Sequence, residues 1–105
     1  MRFYEELFLS ENMKDSKEEV IKKITSGETL YHTYLIVMPR IPTANQLESM
    51  HCEMFKELYS NSIDYIIVGV AQGYQGALEL IEFIAKMVYN ETGTADIRSY
   101  FRDRI

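Results

Sequence analysis

Gly69, Gly73 and Gly76 stand between an apolar run, Tyr65-Ile66-Ile67-Val68, and a long segment of helical periodicity. Glycines in that position let backbone N–H groups approach an anion at the positive end of a helix. The residues that would hold an anion or nucleotide there are Gly69, Gln72, Gly73 and Tyr74. The spacing G-x-x-x-G-x-x-G is close to the dinucleotide fingerprint G-x-G-x-x-G without matching it, and the acidic residue expected about twenty positions on has no strand to sit on. Without Gly-Lys-Ser/Thr, a P-loop is excluded by residue type. A structural reading is preferred: Gly69 lets another element approach the strand, Gly73 makes the turn, and Gly76 permits close packing at the helix start.

His32, His51 and Cys52 are the only soft metal-ligand candidates. His51 and Cys52 are adjacent, so on a helix they point about 100° apart, and a structural zinc site needs four ligands with paired spacing. No metal and no cofactor is expected. His51 reads as a packed, hydrogen-bonded residue at the core edge, and Cys52 as a small residue on a helix flank. As a nucleophile Cys52 would need a base, and only His32, from another element, could supply one. Asp64, Glu91 and Asp96 flank element ends and do not pair as acid and base. No residue is assigned a catalytic role.

These groups are carried by 105 residues, expected to form a single domain over 1–105. With 47% hydrophobic and 26% charged residues the chain should fold rather than remain disordered. A net charge of −5 disfavours a nucleic-acid binder working through a broad basic face. The short basic cluster Arg98, Arg102 and Arg104 is partly cancelled by Asp96 and Asp103. The lone Cys52 cannot form an internal disulfide, and the start of the chain has neither a signal-peptide apolar region nor a membrane span. The cytoplasm is the expected compartment, with no membrane partner.

The elements expected to position these residues make an α/β domain. Residues 2 to 9 fit either a helix or a strand, and a short helix is preferred. Ser10 is read as the cap of a second helix on which Met13, Lys17, Val20, Ile21 and Ile24 recur until Gly27 stops it. A strand over about 31–38 is continuously apolar at Leu35-Ile36-Val37-Met38, the pattern of a strand covered on both faces. Thr43-Ala44-Asn45-Gln46 has the form of a capping box. It would open a helix bearing Leu47, Met50, His51, Met54, Phe55, Leu58 and Tyr59, until Ser60-Asn61-Ser62 breaks it. A second strand over about 64–71 would complete a βαβ unit with the two strands parallel.

The next helix, about 74–90, is apolar on most of its circumference, and flanking N- and C-terminal helices pack around it. A helix this apolar calls for covering on more than one side, so a homodimer through its apolar face is expected, with a protein partner as the other possibility. Two parallel strands alone are marginal in water. Either residues 2 to 9 or 95 to 101 are a strand, or a second chain completes the sheet.

The run from Ile66 to Phe101, IIVGVAQGYQGALELIEFIAKMVYNETGTADIRSYF, carries G-x-A-x-G-Y-x-x-A-L-E-L and then E-T-G-x-A-D-I-x-x-Y. With Asn45-Gln46-Leu47-Glu48 it resembles a group of small bacterial proteins of unknown function, over about two thirds of the chain. The resemblance implies an intact domain and transfers no functional residue. The expected function is therefore that of a non-catalytic interaction or accessory protein acting as a homodimer. The alternative is a small anionic-ligand or nucleotide module using the Gly69 to Gly76 turn.

Overall fold

The structure, a computed structural model, describes residues 1–39, 46–59, 61 and 64–105. Its strands are β1 (Arg2–Leu9), β2 (Thr33–Pro39), β3 (Glu48–His51) and β4 (Tyr65–Gln72), in the spatial order β1-β4-β2-β3. Helices α1 (Lys17–Thr25) and α2 (Cys52–Tyr59) cover one face of this sheet, and α3 (Gly73–Thr92) and α4 (Ile97–Arg102) cover the other. The result is a mixed α/β domain of three layers.

The continuous apolar runs of β2 and β4 belong to strands with both faces covered. Ile36 and Met38 of β2 join Ile66 and Val68 of β4 under α3, while Leu35, Val37, Ile67 and Val70 face α1 and α2. Fully burying such branched side chains contributes about 1.5–3 kcal/mol each, so the two central strands anchor both cores.

The strand over 31–38 and the strand over 64–71 are antiparallel, not parallel: Tyr34 lies opposite Ala71 and Pro39 opposite Tyr65. Two-sided burial specifies coverage and says nothing about direction. What reverses the chain is β3, built from residues expected to be helical. It pairs antiparallel with β2, from Tyr34 opposite His51 to Val37 opposite Glu48. Leu47, Met50 and Phe55 do satisfy a helical period, but the outer edge of buried β2 would otherwise carry unpaired N–H and C=O groups, which cost more than a propensity preference. Helix α2 therefore starts only at Cys52, and the parallel crossover runs from β3 through α2 to β4, with β2 between them.

Residues 2 to 9 form β1, not a helix, and pair parallel with β4 from Arg2 opposite Ile66 to Leu9 opposite Val70. The same pairing demand on the other edge of β4 decides it. Along β1 the faces alternate: Tyr4 and Phe8 join the α3 side, and Phe3, Leu7 and Leu9 the α1 side. Glu5 and Glu6 are exposed where the register with β4 slips, between Phe3 and Phe8. The sheet is thus completed within one chain.

Local capping follows the sequence at some helix ends and departs from it at others. Ser16, rather than Ser10, caps α1: its hydroxyl accepts the Glu19 N–H at 3.2 Å. Gly27 and Gly93 take the left-handed conformation after α1 and α3. Asp96 caps α4, accepting the Ser99 N–H at 3.1 Å and the Ser99 hydroxyl at 2.6 Å, and these bonds hold its carboxyl below the usual range. The capping box at Thr43-Ala44-Asn45-Gln46 and the break at Ser60-Asn61-Ser62 fall largely outside the described residues. Gln46 itself is tied to the start of α4, donating to the Ala95 carbonyl and accepting the Arg98 N–H, each at 3.0 Å.

At the centre of the sheet Gly69 has no room for a side chain. A Cβ there would stand 3.0 Å from Leu80 Cδ2, 3.3 Å from the Phe8 carbonyl oxygen and 3.4 Å from Ile36 Cβ. Gly73, with φ of 78°, has open space around it and is required for its conformation alone. Gly69→Ala is expected to cost about 1–3 kcal/mol by overpacking, and Gly73→Ala about 1–2 kcal/mol from the left-handed backbone. Urea denaturation checks both, and a neutral Gly69→Ala would contradict the packing.

Candidate functional site

The turn from β4 into α3 sets Gln72, Gly73 and Tyr74 together at one end of the sheet, while Gly69 stays inside β4, and the backbone of the turn is engaged by the protein. Gln72 precedes the helix in an extended conformation and offers it no side-chain cap. Its N–H donates to the Ser10 hydroxyl at 3.0 Å, and its carbonyl accepts from the Asn12 amide at 3.0 Å. The Gly73 N–H donates to the His32 carbonyl at 2.7 Å. Ser10 in turn donates to Asn12 Oδ1 at 2.7 Å, and its own N–H reaches the Val70 carbonyl at 3.1 Å. Ser10, expected to cap a helix, instead locks the end of β1 to the end of β4. Gly76 lies under this lock: a Cβ on it would meet Asn12 Oδ1 at 3.3 Å. Gly69 lies deeper in the sheet, against Leu80, Phe8 and Ile36.

Beside the turn is an open cleft of about 500 Å³, bounded by Gln72, Gly73, Tyr74 and Gln75 together with Glu11 and Glu79. The charged side chains on its wall are both carboxylates, which oppose an anion at that helix end. A separate hollow of about 240 Å³ opens at the start of β2, where His32 and Thr33 face Asp15 and Lys23. There the ammonium of Lys23 and the carboxylate of Asp15 pair at 2.8 Å. Lys23 and Asp15 thus satisfy each other, and His32 does not meet Cys52 or His51 in that hollow.

His51 is half-buried and hydrogen-bonded at both ring nitrogens. Nε2 lies 2.7 Å from the Tyr31 carbonyl oxygen, and Nδ1 accepts the Glu53 N–H at 3.2 Å. A carbonyl only accepts and an amide N–H only donates, so the proton sits on Nε2. Standing immediately before α2, His51 is its N-cap, a role that serine, threonine or asparagine usually fills. The ring also packs edge-on against Tyr34, which packs against Tyr74, with centroids 5.3 and 5.8 Å apart. This aromatic row joins β3, β2 and α3.

Cys52 is fully buried with Leu35, Val37 and Phe55. Burial pushes its thiol up to about 11, so at neutral pH it is protonated and the nucleophile reading is dropped. Among the described residues no group of three or more His, Cys, Asp or Glu side chains is placed to hold a metal ion. Sequence reasoning missed Ser10, Asn12 and the capping role of His51. Short polar residues at a strand end do signal a turn, but the partner of Ser10 lies 62 positions away.

No family model matches the chain, and comparison with curated proteins and with solved structures likewise finds no match.

His51→Ala is expected to lower stability by about 1 kcal/mol through loss of the cap, and His51→Asn by less; urea titration of the two variants separates the cap from general packing. For Cys52, a thiol reagent should react with the native protein far more slowly than with the unfolded chain. The folded thiol keeps its proton above the ordinary value of 9.0. The stability that this buried thiol contributes is therefore whole below pH 9.0 and is lost as pH rises towards about 11. Burial raises Tyr4, Tyr65 and Tyr100 as well, so their effect has the same sign. Thermal unfolding across that range, together with thiol labelling, checks both statements.

Proposed function

We propose that this chain is a non-catalytic interaction or accessory protein that acts as a homodimer through α3. The observation that carries the reading is the set of large apolar side chains that α3 leaves in water: Tyr74, Leu78, Phe83 and Tyr89 are 58, 41, 57 and 59% exposed. Scattered apolar residues are ordinary on a surface, but Tyr74, Leu78 and Tyr89 follow one another along one side of α3, with Phe83 across its polar face, and three aligned on one helix of a small domain form a patch of the kind that marks a contact site. Gathering them against a second copy recovers roughly 25 cal/mol for each Å² removed from water. The sheet gives no support to dimerisation, because β1 and β3 supply its missing strands from within the chain.

A cytoplasmic location in a bacterium belongs to the same reading. Its support is the lone buried thiol, the resemblance noted above, and the lack, among the described residues, of any helix long and apolar enough to cross a membrane. The second reading, an anion or nucleotide at the β4–α3 turn, is favoured by the uncapped start of α3 and the cleft beside it. It is opposed by Glu11 and Glu79 on the wall and by the engaged N–H groups of Gln72 and Gly73.

Light scattering at micromolar concentration is expected to return twice the chain mass of 12.3 kDa. A clean single-chain mass overturns the dimer. Thermal-shift measurements with nucleotides, phosphate and carboxylates are expected to leave the melting temperature unchanged. A shift abolished by altering Gln72 would favour the second reading instead.

A further inference from the structure

The exposed apolar residues of α3 fall on two sides of its polar face. Phe83 lies on one side, already packed at 6.3 Å against the Phe8 ring of its own chain. On the other side Tyr74, Leu78, Ile81, Ala85 and Tyr89 follow one another at steps of four, three, four and four. Such steps place them in a single seam along the helix. The seam borders the core-facing residues Ala77, Leu80, Ile84 and Val88, with Ile81 and Ala85 half-buried and the other three open to solvent.

We propose that a second copy of this chain docks antiparallel along the Tyr74–Tyr89 seam of α3, about a two-fold axis near Ile81 and Glu82. The inference rests on the dimer reading above and names its interface. A two-fold contact requires a patch complementary to itself, and this seam reads almost alike in both directions. Reversal about its centre sets Tyr74 against the partner's Tyr89, and Leu78 against the partner's Ala85. Ile81 then lies beside its own counterpart. Large side chains thus meet small ones where the helices come closest, and tyrosines close the two ends with their hydroxyls towards water.

Charge selects the direction. Gln75, Glu79, Glu82 and Lys86 line the solvent side of the seam, with Glu82 and Lys86 paired at 2.7 Å within the helix. In an antiparallel pair Lys86 comes over Gln75 and Glu79 of the partner, twice by symmetry. A parallel pair would instead set this charged flank beside the partner's opposite flank, that of Ala77, Ile84 and Val88, where no opposite charge meets it, and would align the two helix dipoles. With −5 on each copy, association is opposed everywhere except where the signs interleave, and along this seam they do.

The test combines light scattering with cross-linking of the full chain. Leu78→Glu is expected to convert the dimer to a single chain with an unchanged circular dichroism spectrum. Phe83→Glu, on the other side of the polar face, should leave the dimer in place. Under mild oxidation the double variant Leu78→Cys with Ala85→Cys should form a covalent dimer, whereas Leu78→Cys alone should not. Cross-linking does not depend on Leu78→Glu folding. If the wild type is dimeric but Leu78→Glu keeps that mass and the double variant stays uncross-linked, the interface is overturned while the dimer reading stands. Efficient cross-linking by Leu78→Cys alone overturns the antiparallel direction. A wild type that is a single chain at all concentrations overturns the dimer reading and this interface together, leaving the seam to a different protein.

Discussion

The crowding at Gly69 is the constraint on which the rest of the structure depends. Three elements converge on one Cα: Leu80 from α3, the carbonyl of Phe8 from β1, and Ile36 from β2. A helix can lie this close to a strand only where the strand has no side chain to hold it off. The register of the sheet is adjusted at the same place. Val37 lies opposite Ile67 and Ile36 opposite Gly69, so β4 carries one residue more than β2 across that step. Val68 and Gly69 consequently both turn to the α3 side, where Val68 fills the core and Gly69 yields to Leu80. A bulge at this point bends the strand while keeping both faces apolar.

From that centre the arrangement follows from hydrogen-bond accounting. A strand buried on both faces has no water to satisfy its backbone, so each edge of β4 and the outer edge of β2 must find a strand. Residues 2 to 9 and 48 to 51 meet this need although their apolar spacing also fits a helix. Once β3 pairs with β2, the chain has reversed, and β4 can only enter between β1 and β2 antiparallel to the latter. The helices then fall two to a face, each presenting the side chains its own periodicity puts inward.

At the β4–α3 turn the same accounting leaves little for a ligand. Two N–H groups and a carbonyl of Gln72 and Gly73 are spent on Ser10, Asn12 and His32. The turn acts as a clamp that fixes the ends of β1 and β2 to the start of α3. Its glycines serve conformation and packing, which is how Gly69, Gly73 and Gly76 read from their types alone. His51 likewise proved a packed, bonded residue, and its exchange of hydrogen bonds with Tyr31 and Glu53 holds the start of α2 beside β2.

The segment from Tyr65 to Gly93 was legible in the amino-acid sequence as a buried strand, a glycine turn and a helix, while the left-handed stop at Gly93 came from the structure. Its determinants are local, namely unbroken apolarity, one positive φ and a period of about 3.6 residues, and local physics suffices to set them. The amphipathic helix ending at Gly27 and the short final helix were legible for the same reason. The direction of β2 relative to β4, the strand state of residues 2 to 9 and 48 to 51, and the partners of Ser10 were not. Each of these depends on groups far apart in the chain. An unpaired strand edge is satisfied by whichever segment the fold brings to it, and only the tertiary structure decides which one that is.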